Sequence, residues 1–433
     1  MPPAARHDPG LQTLVDAVHG RGDLPAAAVC VLDGDADLVA WAGAGAAVDP
    51  ALRVRVASIT KTVTALTVHR LVAAGGLRLD DPLAAGGGGT GRGGGTGHGG
   101  GGGSEREGGA SGSEGGKGAD TAGATVADLL SHTAGLPLEL AGVDWLTGAP
   151  PDAAALAGRI AAAGLCPMRS PFRYSNVGFW WLDGVLRRAT GEPTEVTAAA
   201  TLAALPNAGG IGFGEADLAG HLLTARGRLV RHVAPFAPAR RASGGLTADL
   251  PSIAWLGRGL LEALATTPAL REPRAEIADG WGWTAGLERW TTAGRVLLGH
   301  HGSWGGTRTL MVLDPADRRV AVACVTSEAG NPALRTLLSA IGLPAATPER
   351  PAHPAPLPLG AFADGVATAT LVADDRDPDG LLLQAPAGGA PQRARRLAPG
   401  LARLLDGPHA GEALTTPDGR VLRLGVRSLD PLA

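Results

Sequence analysis

The chain has 433 residues, 45% hydrophobic content and a formal charge of −3 at neutral pH. That is enough apolar material for one large domain plus an appendage or for two ordinary domains, and it gives no electrostatic reason to expect nucleic acid or an anionic membrane as partner. The three cysteines, Cys30, Cys166 and Cys324, are far apart and lack metal-ligand spacing, which suits a reducing compartment better than a disulfide framework. The polar, Pro-rich start shows no signal peptide and no run is long enough to span a bilayer, so a cytoplasmic protein is the expectation.

Residues 11–24 carry Leu11, Leu14, Val15 and Val18 on one helical face, which predicts an amphipathic helix. Two short strands follow at Ala26 to Leu32 and Leu38 to Trp41, joined by an Asp-Gly-Asp turn. An apolar-rich stretch from Ser58 to Ala74 predicts a buried helix stopped by Gly75-Gly76. Residues 86–123 then hold 21 glycines in 38 positions. Such a segment buries too little surface to offset its ordering entropy, so residues 86–124 are expected to form a disordered surface insertion. Gly116-Lys117 is followed by Gly118 rather than Ser or Thr, so a phosphate-binding loop is not supported.

Beyond the insertion, helices are expected at residues 126–131, 152–163, 177–190 and 249–265, the last capped by Thr247 or Asp249. Strands are expected at Trp283 to Trp290, Arg295 to Leu298, Thr307 to Leu313 and Arg319 to Thr326. The domain expectation is therefore residues 1–343, a Pro-rich linker at 344–358, and a small β-rich extension at 359–433. Within that extension, strands are read at Thr368 to Val372, Gly380 to Leu383 and Val421 to Val426.

Three short constellations carry chemistry. Ser58 and Lys61 lie three residues apart at the start of the buried helix, on one face and within hydrogen-bonding reach. A serine hydroxyl needs a neighbouring base to become a nucleophile, and lysine can serve only if burial or nearby positive charge lowers its pKa. Composition sharpens this reading, because only Lys61 and Lys117 are lysines and Lys117 lies in the glycine-rich segment. Arginine fills every other cationic position, and arginine cannot lose its proton near neutrality. The second constellation is Tyr174-Ser175-Asn176, with the only tyrosine of the chain. A phenol beside an amine can relay a proton, and the amide of Asn176 offers both a donor and an acceptor. The third is Gly299-His300-His301-Gly302-Ser303, where small residues before a strand near Thr307 leave backbone N–H groups free to hold an oxyanion. The tandem histidines of a strand would point to opposite faces, so neither a metal nor a cofactor is expected.

In this order, S-x-x-K, Y-x-N and H-x-G resemble the class C β-lactamase and penicillin-binding-protein group, closest to its esterase and D-aminopeptidase-like branches. The stretches Val56–Thr62, Leu79–Pro82, Leu129–Leu136, Phe172–Asn176 and Ser243–Leu246 match as well. The resemblance spans about residues 10 to 340. It implies an α+β fold, an antiparallel sheet flanked by helices with a mostly helical second region. It also implies that Ser58 is acylated, that Lys61 shares the general-base role with Tyr174, and that Asn176 orients the substrate. His300 would stand where classical β-lactamases have lysine, and the N–H groups of Ser58 and Ser303 would form the oxyanion hole beside Gly302. With imidazole in place of an ammonium, a small neutral ester or amide becomes the expected substrate. Two rivals are a nucleophile elbow at His301 to Gly305, which lacks its first glycine, and a binding protein that kept the fold without turnover.

Overall fold

The computed structural model describes residues 5–20, 24–34, 39–83, 123–140, 158–159, 162–163, 169–224, 228–236, 238–343, 355–363, 368–384, 390–407, 409–416, 418–424 and 427–432. Most of the expected insertion, most of the expected helix at 152–163 and most of the expected linker lie outside these residues.

Among the described residues, nine strands form the main sheet: β1 (Arg6–His7), β2 (Ala26–Leu32), β3 (Ala40–Gly45), β4 (Ala275–Ala278), β5 (Trp281–Trp283), β6 (Glu288–Thr292), β7 (Arg295–Trp304), β8 (Thr307–Asp314) and β9 (Arg319–Val325). Their spatial order is β1-β3-β2-β9-β8-β7-β6-β5-β4. Neighbours run antiparallel, apart from the two-residue edge strand β1, which is parallel to β3. The α-helices described end to end are α1 (Pro9–His19), α2 (Thr60–Ala73), α3 (Val126–Leu130), α4 (Asn176–Thr190), α5 (Thr194–Ala203), α6 (Leu250–Thr266) and α7 (Asn331–Ala340).

The central strands are apolar on both faces because both faces are covered. Ala26, Ala28, Cys30 and Leu32 of β2 join Val320 and Val322 of β9 in a core with Ile253, Leu256 and Leu260 of α6. The alternate residues Ala27, Val29 and Val31 pack instead with Val15 and Val18 of α1 and Leu334, Leu337 and Leu338 of α7. A third core, containing Leu129, Leu130, Phe179 and Leu182, gathers α2, α3 and α4 into the helical region. The ends of these helices are set locally. Thr125 and Asp128 form a reciprocal capping box on α3, and Asp249 caps α6 by accepting from Ser252 N.

Two strands differ from their sequence reading. Trp283 to Trp290 is a hairpin, because the Thr284 hydroxyl accepts from Leu287 N at 3.0 Å and Gly286 has φ +130° against Ala65. The strand expected at Arg295 to Leu298 continues to Trp304, so the His-His-Gly-Ser motif lies inside β7 rather than before the next strand. Gly305 and Gly306, at φ +56° and +81°, then turn the chain directly into β8. A strand-to-strand turn here excludes the nucleophile elbow, which needs a following helix.

The C-terminal region is a closed barrel of eight strands, of which the sequence suggested three. They are β10 (Gly360–Ala363), β11 (Thr368–Ala373), β12 (Gly380–Gln384), β13 (Gln392–Ala398), β14 (Leu401–Leu404), β15 (Ala413–Thr415), β16 (Leu422–Leu424) and β17 (Arg427–Pro431). Successive strands pair, and β10 meets β17 at Phe362↔Pro431 and Ala363↔Asp430, which removes exposed edges. Phe362, Leu371, Leu381, Leu404, Leu414 and Leu422 fill the interior. The barrel docks on the sheet domain through an Arg173–Asp430 ion pair, Arg423 Nη2 donating to Phe172 O at 2.6 Å, and Leu401 and Ala413 entering the second core.

Helix α6 crosses the sheet where Gly257 leaves no room: a Cβ there would lie 2.5 Å from Val320 Cγ1 and 2.9 Å from Leu313 Cδ2. Gly257→Val should therefore lower the unfolding free energy by about 1–3 kcal/mol through overpacking, seen as a lower urea midpoint at unchanged slope.

Candidate active site

Ser58, the candidate nucleophile, sits on a strained support. Ala57 to Ile59 form one 3-10 turn leading into α2, and buried Ala57 adopts φ +49°, a conformation a non-glycine residue holds only where its surroundings enforce it. The enforcing neighbour is β7. At Gly302 any side chain would place its Cβ 2.2 Å from Val56 O, so glycine lets β7 cross against the turn bearing Ser58. From the other side, Leu246 N donates to Thr60 Oγ1 at 3.1 Å.

Lys61 is completely buried. Its Nζ lies 2.6 Å from Asn176 Oδ1, 2.8 Å from Ser243 O and 3.2 Å from Ser58 Oγ. Burial pushes its pKa well below the ordinary lysine value, the Arg240 cation pushes the same way, and Glu139 opposes them. The partners fit a neutral amine. Two of them are carbonyl oxygens that only accept, so they consume both N–H groups. As the side chains stand, Nζ donates to Ser58 Oγ; in the neutral amine favoured by burial, the lone pair is left for the Ser58 hydroxyl proton.

Asn176 is aimed by charge. Its Nδ2 donates to Glu139 Oε1 at 2.6 Å, which turns Oδ1 toward Lys61. Glu139 is itself paired with Arg240 at 2.6 Å, and the Arg240 guanidinium lies 4.1 Å from the Trp304 ring centroid. Tyr174 precedes α4, where the Ser175 hydroxyl caps the helix by accepting from Gly178 N at 2.9 Å. Its ring lies 5.0 Å from Lys61 Nζ. The Tyr174 hydroxyl is buried and interacts with Ser58 without closing a hydrogen bond of ordinary geometry. Burial raises its pKa far above that of a free phenol, with Glu288 and Glu139 adding to the rise and Ser58 opposing it. The phenol therefore keeps its proton at neutral pH. Beneath it, His132 Nδ1 accepts from Ser175 N at 3.0 Å, a structural role.

The tandem histidines divide as strand alternation requires. His300 is fully buried, with ring centroids 5.2 Å from Trp283 and 6.3 Å from Tyr174. Burial, aided by His301 and Lys61, lowers its pKa well below the usual imidazole value, so it is neutral and does not line the cavity. His301 does, and its Nδ1 lies 2.7 Å from Glu288 Oε2. The cavity has a volume of about 380 Å³ and brings together Ser58, Tyr174, Asn176, Gly302 and Ser303. The barrel supplies another wall, with His409, Glu412, Ala413, Leu424 and Arg427. Sequence reasoning missed Glu139, Arg240, Glu288 and this barrel wall, and it noted Ser243 and His301 without giving either a role. Strand alternation was the one signal that bore on His301. Among the described residues no group of three His, Cys, Asp or Glu could hold a metal ion, and no helix is long and apolar enough to cross a membrane.

The Beta-lactamase family model matches residues 11–346. The chain belongs to the β-lactamase family. Among solved structures, SurE has the same fold with a TM-score of 0.66 and 23% identity, over 98% of each chain. The D-amino acid amidase from Ochrobactrum anthropi SV3, complexed with L-phenylalanine amide, gives 0.60 at 16% identity, over 77% of this chain and 97% of that one. The octameric penicillin-binding protein homologue from Pyrococcus abyssi gives 0.59 at 19% identity, over 97% and 99%. No curated protein sequence matches.

A buried neutral lysine leaves a thermodynamic trace. Between its lowered folded pKa and the ordinary 10.5, Lys61 is neutral in the folded protein and protonated in the unfolded one. The unfolded state then binds more protons, so stability rises with pH across that window. Wild type should gain on Lys61→Met by up to about 1.4 kcal/mol per pH unit there, as read from urea unfolding at pH 7 and 9. Parallel pH dependences would contradict the neutral amine.

Proposed function

We propose that this β-lactamase family member is a serine hydrolase that acts through a covalent acyl-enzyme on a small ester or amide. The observation that carries this reading is a completely buried Lys61 whose Nζ lies 3.2 Å from Ser58 Oγ and 2.6 and 2.8 Å from the carbonyl oxygens of Asn176 and Ser243, a setting that lowers its pKa toward the neutral amine a general base requires. Lys61 takes the hydroxyl proton as Ser58 Oγ attacks the substrate carbonyl carbon. The backbone N–H groups of Ser58 and Ser303 receive the oxyanion. Tyr174 gives its proton to the departing amine or alkoxide and regains one from the Lys61 ammonium, so the leaving group is neutralised and both Lys61 and Tyr174 return to their starting forms. Water then cleaves the acyl-enzyme.

His300, neutral and enclosed, is no anchor for a substrate carboxylate, which supports neutral esters and amides. Structures of the same fold include a D-amino acid amidase in two complexes and a complex of SurE with D-Leu. D-Aminoacyl amides and esters are accordingly the first substrates to screen.

A fluorophosphonate probe should add once, at Ser58, as read by intact mass and peptide mapping. The adduct should vanish in Ser58→Ala and form at least a hundredfold more slowly in Lys61→Ala, the scale of a lost general base, about 10²–10⁴. Absence of an adduct on folded wild type would favour a binding protein without turnover.

Acylation should also slow as pH falls through the lowered pKa of Lys61, because the ammonium has no lone pair for the Ser58 proton. The fluorophosphonate labelling rate against pH measures this directly. An acid limb is expected, and a flat profile from pH 5 to 9 would count against Lys61 as base.

A further inference from the structure

A second dyad faces the same cavity, and the acylation step leaves it unused. Glu288 of β6 is buried, and both of its oxygens are engaged. Oε1 accepts from Trp281 Nε1 at 2.7 Å, and Oε2 lies 2.7 Å from His301 Nδ1. Three adjacent strands thus converge on one carboxylate: β5 brings Trp281, β6 Glu288 and β7 His301. A carboxylate only accepts, so the proton of the His301 ring sits on Nδ1, and Nε2 of the neutral tautomer presents its lone pair. The ring is partly exposed and lines the cavity that contains Ser58. It stacks on Tyr174 with centroids 6.3 Å apart and planes 26° apart. Ser303, the proposed oxyanion donor, lies two residues along β7 and so on the same face as His301.

We propose that His301, held by Glu288, is the general base of the second half-reaction. This rests on the acyl-enzyme reading above. His301 Nε2 takes a proton from the attacking water, whose oxygen bonds to the acyl carbon. The bond from that carbon to Ser58 Oγ then breaks, and Nε2 returns the proton to the departing Oγ. One water and one acyl ester become one free acid and one free serine, with no other reactant. Lys61 and Tyr174 serve acylation and the His301–Glu288 pair serves release, so the two half-reactions use bases on different elements. Glu288 is a positioning residue, acting only through the tautomer and orientation of His301.

The test follows p-nitrophenyl butyrate hydrolysis by stopped flow, with intact-mass sampling, in wild type, His301→Ala and Glu288→Gln. In both variants the first turnover, which releases p-nitrophenol, should stay within about threefold of wild type. Steady-state turnover should fall roughly a hundredfold in His301→Ala, the scale of a lost general base, and by a smaller factor in Glu288→Gln. Butyryl-Ser58 should accumulate in both. Added imidazole should restore turnover in His301→Ala, which a merely structural role would not allow. Unchanged steady-state turnover, or first and later turnovers falling together without imidazole rescue, would overturn the assignment. Failure of wild-type Ser58 to take up either butyrate or a fluorophosphonate would instead overturn the acyl-enzyme reading beneath it.

Discussion

The site depends on removing one ammonium group from water. A lysine buried without a carboxylate in direct contact favours its neutral form, and here the nearest acceptors are two uncharged carbonyl oxygens, of Asn176 and Ser243. Had Glu139 touched Lys61 directly, it would have stabilised the ammonium and left no lone pair for the proposed base. Instead Glu139 spends its charge on Arg240 and reaches Lys61 only through the Asn176 amide. Arg240 in turn adds a positive charge that further disfavours the ammonium. Burial thus dominates the proton state of Lys61, Arg240 and Glu139 push it in opposite directions, and Glu139 fixes the rotamer of Asn176.

Backbone geometry serves that arrangement. Ser58 follows a residue at positive φ, and the crossing of β7 at Gly302 supports the strained turn. The close approach of β7 carries Ser303 and His301 to the cavity and sends His300 into the core. The barrel completes the enclosure, since His409, Glu412 and Arg427 share a cavity with Ser58. Burial of Glu412 opposes ionisation, but His409, Arg308 and Arg335 outweigh it and hold the carboxyl pKa down at about 2, so this wall keeps its charge near neutrality.

The sequence showed these features unevenly. Strand β2 was legible to the residue because its apolar run is continuous, and α4 and α6 because a cap and a helical period coincide. Lys61 and Tyr174 stood out because the rest of this chain avoids their residue types, and Ser58 because it lies three residues before Lys61. Glu139 and Arg240 had no such signal: Glu139 lies in a loop, Arg240 ends a 3-10 turn 101 positions away, and their ion pair exists only in the fold. Alternation showed that His300 and His301 face opposite ways but could not supply the phase, which the contact between Gly302 and Val56 determines. The barrel was under-read because its strands are short and its closure joins Phe362 to Pro431, which share no local window.

The neutrality of Lys61 can be measured directly. In Lys117→Arg, Lys61 is the only lysine, so a sample labelled with 13C at lysine Cε gives a single side-chain signal that can be titrated by NMR. The signal should titrate well below the ordinary lysine value of about 10.4 and move back toward it when Arg240→Gln removes the neighbouring cation. A titration at or above the ordinary value would contradict the neutral amine, and with it the assignment of Lys61 as the base that activates Ser58.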